Sequence, residues 1–243
     1  MTTAALQTVL TVPERFRGPA GIANGGWISG TVAEALNGLS SAVEVTLHAP
    51  TPLETEVRLE HVANSASLHH DGKLLVEAIP VAEHLTGPGF VPFNEAARAE
   101  AGFAGWQGHA FPDCFACGLR EPGDGLRVFP GPVDGADTGE GRLVAAGWRV
   151  PFTVTDADGA VPVSVVGAVL DCVTGWAHFE PGESALLGRL TLQVNRRVYP
   201  GGTYSVVARA TGREGRKLFG ESAIYEVDGT PVAAAKATWI APR

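Results

Sequence analysis

The sequence is poor in methionine (one), cysteine (three) and tyrosine (three), and its 18 Lys and Arg are outnumbered by 26 Asp and Glu over 243 residues. Each scarcity excludes something. Three cysteines give no even disulfide framework, and a chain this long can bury a core without one. A reducing, cytoplasmic setting is therefore expected. A formal net charge of −8 offers no basic face for nucleic acid. No apolar run reaches the length of a membrane span. Met1 to Leu10 lacks the basic cluster and apolar core of a secretory signal. Glycine (31) and proline (17) are plentiful, and most of them punctuate turns.

Between these turns the chain repeats itself. Ser65 to His70, then Asp71-Gly72, then Lys73 to Ala78 has the grammar of Glu221 to Val227, Asp228-Gly229 and Thr230 to Ala235. An Asp-Gly pair between alternating segments signals a tight hairpin. The preceding segments also correspond: Val43 to Ala49 leads through a turn to Glu56–Glu60, and Leu190 to Arg197 leads through Pro200-Gly201-Gly202 to Tyr204–Ala208. All alternate with period two, as half-buried strands do. A helix rich in small residues precedes each set, Gly25–Leu36 and roughly Val163–His178, and a short strand precedes each helix, Leu6–Val12 and Arg142–Trp148.

The expectation is an α+β protein of two like units, 1–90 and 126–243, joined by a connector at 91–125 that holds a short helix near Asn94–Ala101. Each unit would pack one long helix on one antiparallel sheet, and the two sheets would join edge to edge, protecting edges that neither closes alone.

The helix Asn24-Gly25-Gly26-Trp27 to Leu36 resembles the central helix of hot-dog acyl-CoA thioesterases, which often open with His-Gly-Gly or Asn-Gly-Gly and carry an acid further along. Gly167-Ala168-Val169-Leu170-Asp171-Cys172 resembles the segment of double hot-dog thioesterases in which that family places a catalytic Asp. The closing run Gly229 to Trp239 is similar to a terminal hot-dog strand. The resemblance implies a tandem (double) hot-dog fold and an acyl-CoA or related acyl thioester hydrolase, a thioesterase needing no cofactor and no metal. Two departures stand out. No Gln lies between Pro231 and Pro242, where such enzymes often position water, and the Asp171 to His178 spacing does not match the hydratase branch. A non-catalytic acyl-CoA binder, and a dehydratase or isomerase on an acyl thioester, stay open as alternatives, as does assembly into a homo-oligomer.

Under this reading the catalytic group is Asp171 with Asn24, Gly25 and Gly26, one composite site between the units. Glycines at a helix start expose backbone N–H groups that, with the helix dipole, can hold a developing oxyanion; Asn24 serves equally as a plain cap. Asp171 sits in an apolar segment, where a carboxylate is costly unless paired or used; it is read as general base or nucleophile. Trp27, Thr174 and Arg197 are assigned to the substrate, Arg197 through the phosphates of coenzyme A, with a solvated strand-edge charge as the alternative for Arg197. The second helix opens on Pro162-Val163-Ser164, so the partner site, with Glu34, lacks glycines. Cys114-x-x-Cys117, with His109 or Asp113, has part of a zinc spacing but no second such pair; buried thiols in a tight turn are the plainer reading.

Overall fold

A computed structural model describes residues 6–36, 41–134 and 141–243. Its element order is β1 (Leu6–Thr11), α1 (Gly25–Glu34), β2 (Ala42–Leu47), β3 (Glu56–Val62), β4 (Ser65–His70), β5 (Lys73–Val81), α2 (Phe93–Ala99), β6 (Gly131–Pro132), β7 (Leu143–Arg149), α3 (Val163–Trp176), β8 (Leu186–Val194), β9 (Thr203–Glu214), β10 (Lys217–Tyr225) and β11 (Pro231–Ile240). The strands form one antiparallel sheet of eleven, in the order β1-β3-β4-β5-β2-β8-β11-β10-β9-β7-β6. Its seam is the β2–β8 pairing, with Val45 opposite Leu190 and Val43 opposite Leu192. Outward from that seam both directions give the same succession: the strand after the helix, then the two strands of the hairpin, then the strand before the hairpin, then the strand before the helix. β6 is an addition at one edge. The Asp-Gly hairpin of the first half needs left-handed backbone at both positions, and it has it: φ is 48° at Asp71 and 75° at Gly72.

The helices differ from the expected pair of long ones. α1 runs for ten residues, α3 for fourteen, and a third helix, α2, for seven. α3 is buried at every position but its first, as a helix apolar all round must be. α1 and α3 cross with almost no space between them. A Cβ on Gly26 would lie 2.2 Å from the Gly167 carbonyl oxygen, one on Gly30 would lie 2.4 Å from that of Val163, and one on Gly167 would lie 2.4 Å from that of Gly26. Glycine is what lets the two backbones approach.

Strand alternation sorts the core into two layers. On the helix side one continuous cluster takes in Val43 and Val45 of β2, Ala146 and Trp148 of β7, Val206 of β9 and Ala233 of β11. On the opposite face Ala145, Val207, Ala223 and Ala234 pack with Leu85, Val91 and Ala96, so the chain between β5 and β6 roofs the outer face of the second half. Two buried side chains fasten that roof: Ser205 Oγ donates to the Val91 carbonyl (2.6 Å), and Gln193 Oε1 accepts from the Leu85 N–H (2.8 Å). Among the described residues the first half has no such cover, and β3 keeps Glu56 and Arg58 outward and exposed. No helix among the described residues is long and apolar enough to cross a membrane.

Candidate functional site

Asn24 caps α1 with its side chain: Oδ1 accepts from the Trp27 N–H at 2.8 Å. The next amide in the first turn, that of Gly26, has no partner within the helix. It donates to Asp171 Oδ2 at 2.8 Å, from α1 of one half to α3 of the other. The close crossing enforced by the glycines makes this contact, because Gly26 sits against both Gly167 and Asp171 Cβ. Sequence reasoning places Asn24, Gly25, Gly26 and Asp171 at one site, and the structure brings those four together.

Asp171 is 1 % exposed, and its second oxygen, Oδ1, is buried without a hydrogen-bond partner. Burial pushes its carboxyl well above the usual carboxylate range, and the Gly26 N–H opposes that shift. Beside it lies a cavity of about 280 Å³ whose walls include Gly25, Ile28, Leu187, Trp176 and Trp239 along with Asp171. The wall is mostly apolar, with a carboxylate and a helix start at one end, a common build for a small-molecule site.

The three residues assigned to substrate are placed differently. Thr174 is fully buried and committed: its hydroxyl donates to the Asp171 carbonyl (2.7 Å) and accepts from Trp239 Nε1 (2.8 Å), so it fixes a cavity wall. Trp27 is half-buried and stacks on Phe16, ring centroids 4.5 Å apart. Arg197 lines a different cavity of about 430 Å³, together with Glu34, Asp156 and Val163. There the Val163 N–H, at the start of α3, favours the charged form of Glu34, whose carboxyl is nonetheless raised by partial burial. Gly26, Gly30 and Glu34 thus correspond to Val163, Gly167 and Asp171, at the same spacing along each helix, and each helix start faces the other helix's acid.

Sequence reasoning read Cys114 and Cys117 as buried thiols and missed that Cys172 joins them. Cys114, Cys117 and Cys172 are all buried, and their sulfurs lie within 4.8 Å of one another at the wall of the first cavity. Asn24 Nδ2 reaches Cys172 Sγ at 3.5 Å and Cys114 Sγ at 3.6 Å. Neither expected companion joins them. Asp113 pairs with Arg17 at 2.9 Å, and His109 Nε2 is spent on the Cys117 carbonyl at 3.0 Å. The third thiol comes instead from α3, and only the proximity of Cys172 to Asp171 in sequence hinted at it. Gln193, the buried Gln of the second half, lies on β8 rather than on the last strand and holds Leu85.

No model of a known protein family matches the sequence, and no curated protein does. Solved structures match over nearly the whole chain. A TesB protein of Mycobacterium avium subspecies paratuberculosis superposes with a TM-score of 0.63 at 14% identity, over 98% of this chain and 93% of that one. A protein of unknown function with a hot-dog fold from Alicyclobacillus acidocaldarius gives 0.63 at 13%, over 98% and 93%. A candidate thioesterase II from Thermobifida fusca gives 0.64 at 11%, over 98% and 94%. At such low identity the likeness defines the fold: this chain has the tandem hot-dog architecture.

Proposed function

We propose that this chain hydrolyses an acyl thioester, with acyl-CoA as the expected donor, at a single composite site between units 1–90 and 126–243. One observation carries the reading. The buried Asp171 carboxylate of α3 is bonded through one oxygen to the start of α1, while its other oxygen is unpaired beside an apolar cavity. The acyl group occupies that cavity, and its modest volume favours a short chain. The thioester oxygen turns to the first-turn amide of Gly25, at the positive end of the α1 dipole. Asp171 Oδ1 holds a water and takes its proton as the oxygen attacks the carbonyl carbon. The tetrahedral intermediate then expels the thiolate, which recovers the proton, leaving a carboxylic acid and a free thiol. Similarity to structures described as thioesterases supports this reading without supplying the substrate. Three free thiols suit a reducing, cytoplasmic compartment.

The deep burial of Asp171, with Oδ1 unpartnered, supports one rival, since a carboxyl held neutral there cannot take a proton from water: a protein that binds acyl-CoA and leaves it intact. Thiol release measured over acyl-CoAs of graded length separates the two. Hydrolysis predicts release that Asp171→Asn lowers by about 10²–10⁴-fold with the fold intact by circular dichroism. Saturable binding without release establishes the rival, and release unchanged in Asp171→Asn removes the mechanism.

A further inference from the structure

We propose that Cys114, Cys117 and Cys172 hold a zinc ion through three thiolates, with the fourth coordination position open to the cavity. The three sulfurs converge whatever acyl chemistry the cavity holds. Cys114 and Cys117 lie on a tight turn of the connector, closed by the Gly118 N–H on the Cys114 carbonyl at 2.9 Å. Gly118 has no room for a side chain, since a Cβ there would lie 2.3 Å from that carbonyl oxygen. Cys172 arrives from α3, and its sulfur stands 3.7 Å from that of Cys114. Zinc–sulfur bonds of about 2.3 Å in a tetrahedron set neighbouring sulfurs about 3.8 Å apart. The Cys114–Cys172 pair already has that spacing, and the third sulfur lies close enough to complete the face.

A buried donor points at the sulfurs. Asn24 Nδ2 donates to two of them, Cys172 Sγ at 3.5 Å and Cys114 Sγ at 3.6 Å. Outer donors of this kind orient and stabilise metal ligands. Three bare thiolates this close and this buried would repel one another, and a divalent cation removes that cost. Binding releases the protons of whichever thiols are still protonated. Three protein ligands leave one position free, as in zinc sites that bind a water or a substrate, and all three cysteines face the cavity that holds Asp171. Thiolate ligands in near-tetrahedral array select zinc over the harder divalent ions.

The test uses the full chain and reads the metal, not turnover. Protein from zinc-supplemented culture, dialysed and analysed by mass spectrometry, should carry about one zinc per chain. Metal-stripped wild type titrated with Co²⁺ should develop the sulfur-to-cobalt charge-transfer band and the visible bands of four-coordinate geometry. Cys172→Ser should lose the charge-transfer band in proportion to its missing sulfur, and Asn24→Ala should weaken metal affinity by roughly 10–100-fold. If Cys172→Ser fails to fold, the wild-type cobalt spectrum decides alone. A folded wild type that takes up neither zinc nor cobalt overturns the proposal. So does a native mass two daltons low, which reveals a disulfide, or stoichiometric Cu⁺ where zinc is refused. A protein that releases no thiol from any acyl-CoA yet binds zinc refutes the hydrolase reading alone.

Discussion

At the start of α1, Gly26 gives its N–H to Asp171; at the start of α3, Val163 does the same for Glu34. The two ends occupy equivalent places in the two halves of the sheet, yet they differ in everything that chemistry would use. The first has a side-chain cap, two glycines, a carboxylate 1 % exposed and a mostly apolar cavity. The second follows Pro162 without a side-chain cap, and its acid, Glu34, is only partly buried. Its cavity is lined by Asp156, Asp158 and Arg197. The fold alone therefore supplies two helix starts facing two acids. Burial and the residues of the first turn make them unequal.

That inequality can be broken from either side. The largest effect is expected from the acids: Asp171→Asn should cut thioester turnover by about 10²–10⁴-fold, while Glu34→Gln should leave it unchanged, and equal losses in a thiol-release assay would make the two ends equivalent. Next comes the crossing. Gly26→Ala would drive a Cβ to 2.2 Å from the Gly167 oxygen and 2.3 Å from Asp171 Cβ. It should cost about 1–3 kcal/mol, a fall of roughly 2–4 °C in melting temperature per kcal/mol for a chain of this size. Val163→Ala, at the matching place on α3, should shift a thermal melt far less. Comparable to the crossing is the roof over the second half: Gln193→Ala strands the buried Leu85 N–H, at about 1–3 kcal/mol, seen as a lower urea midpoint. Smallest is the cap. Asn24→Ala should lose about 1 kcal/mol by chemical denaturation, whereas Pro162→Ala has no side-chain cap to lose.

Much of this architecture was legible in the residues. The paired Asp-Gly hairpins and the two small-residue helices marked the repeat, and the period-two strands lie close to where alternation placed them; β6, with two residues, left no pattern to find. A polar cap, bare amides and an acid in an apolar run each break the local rule, which singled out Asn24-Gly25-Gly26 and Asp171, and the resemblance to hot-dog thioesterases grouped them at one site. The rest depended on contacts distant in sequence. That Gly26 serves the helix crossing as well as exposing an amide required knowing where Gly167 lies. The same Gly-x₃-acid spacing in Gly30 to Glu34 and Gly167 to Asp171 was present in the sequence and would have matched the two acids. Cys172 could be joined to Cys114 and Cys117 only once the connector was seen to return to the helix side of the sheet, where Phe115 N–H bonds the Arg17 carbonyl at 2.8 Å. Arg197 looked like a phosphate ligand by charge alone, and charge does not say which end of the molecule it serves.

The seam between β2 and β8 lies within one covalent chain. An assembly of identical subunits related by a two-fold axis must repeat every substitution on both sides of its interface. Here a proline can replace a glycine at one end with no echo at the other. A tandem chain is thus free to keep one end as a reactive centre and let the other drift toward solvent, an asymmetry closed to a homodimer of the same shape.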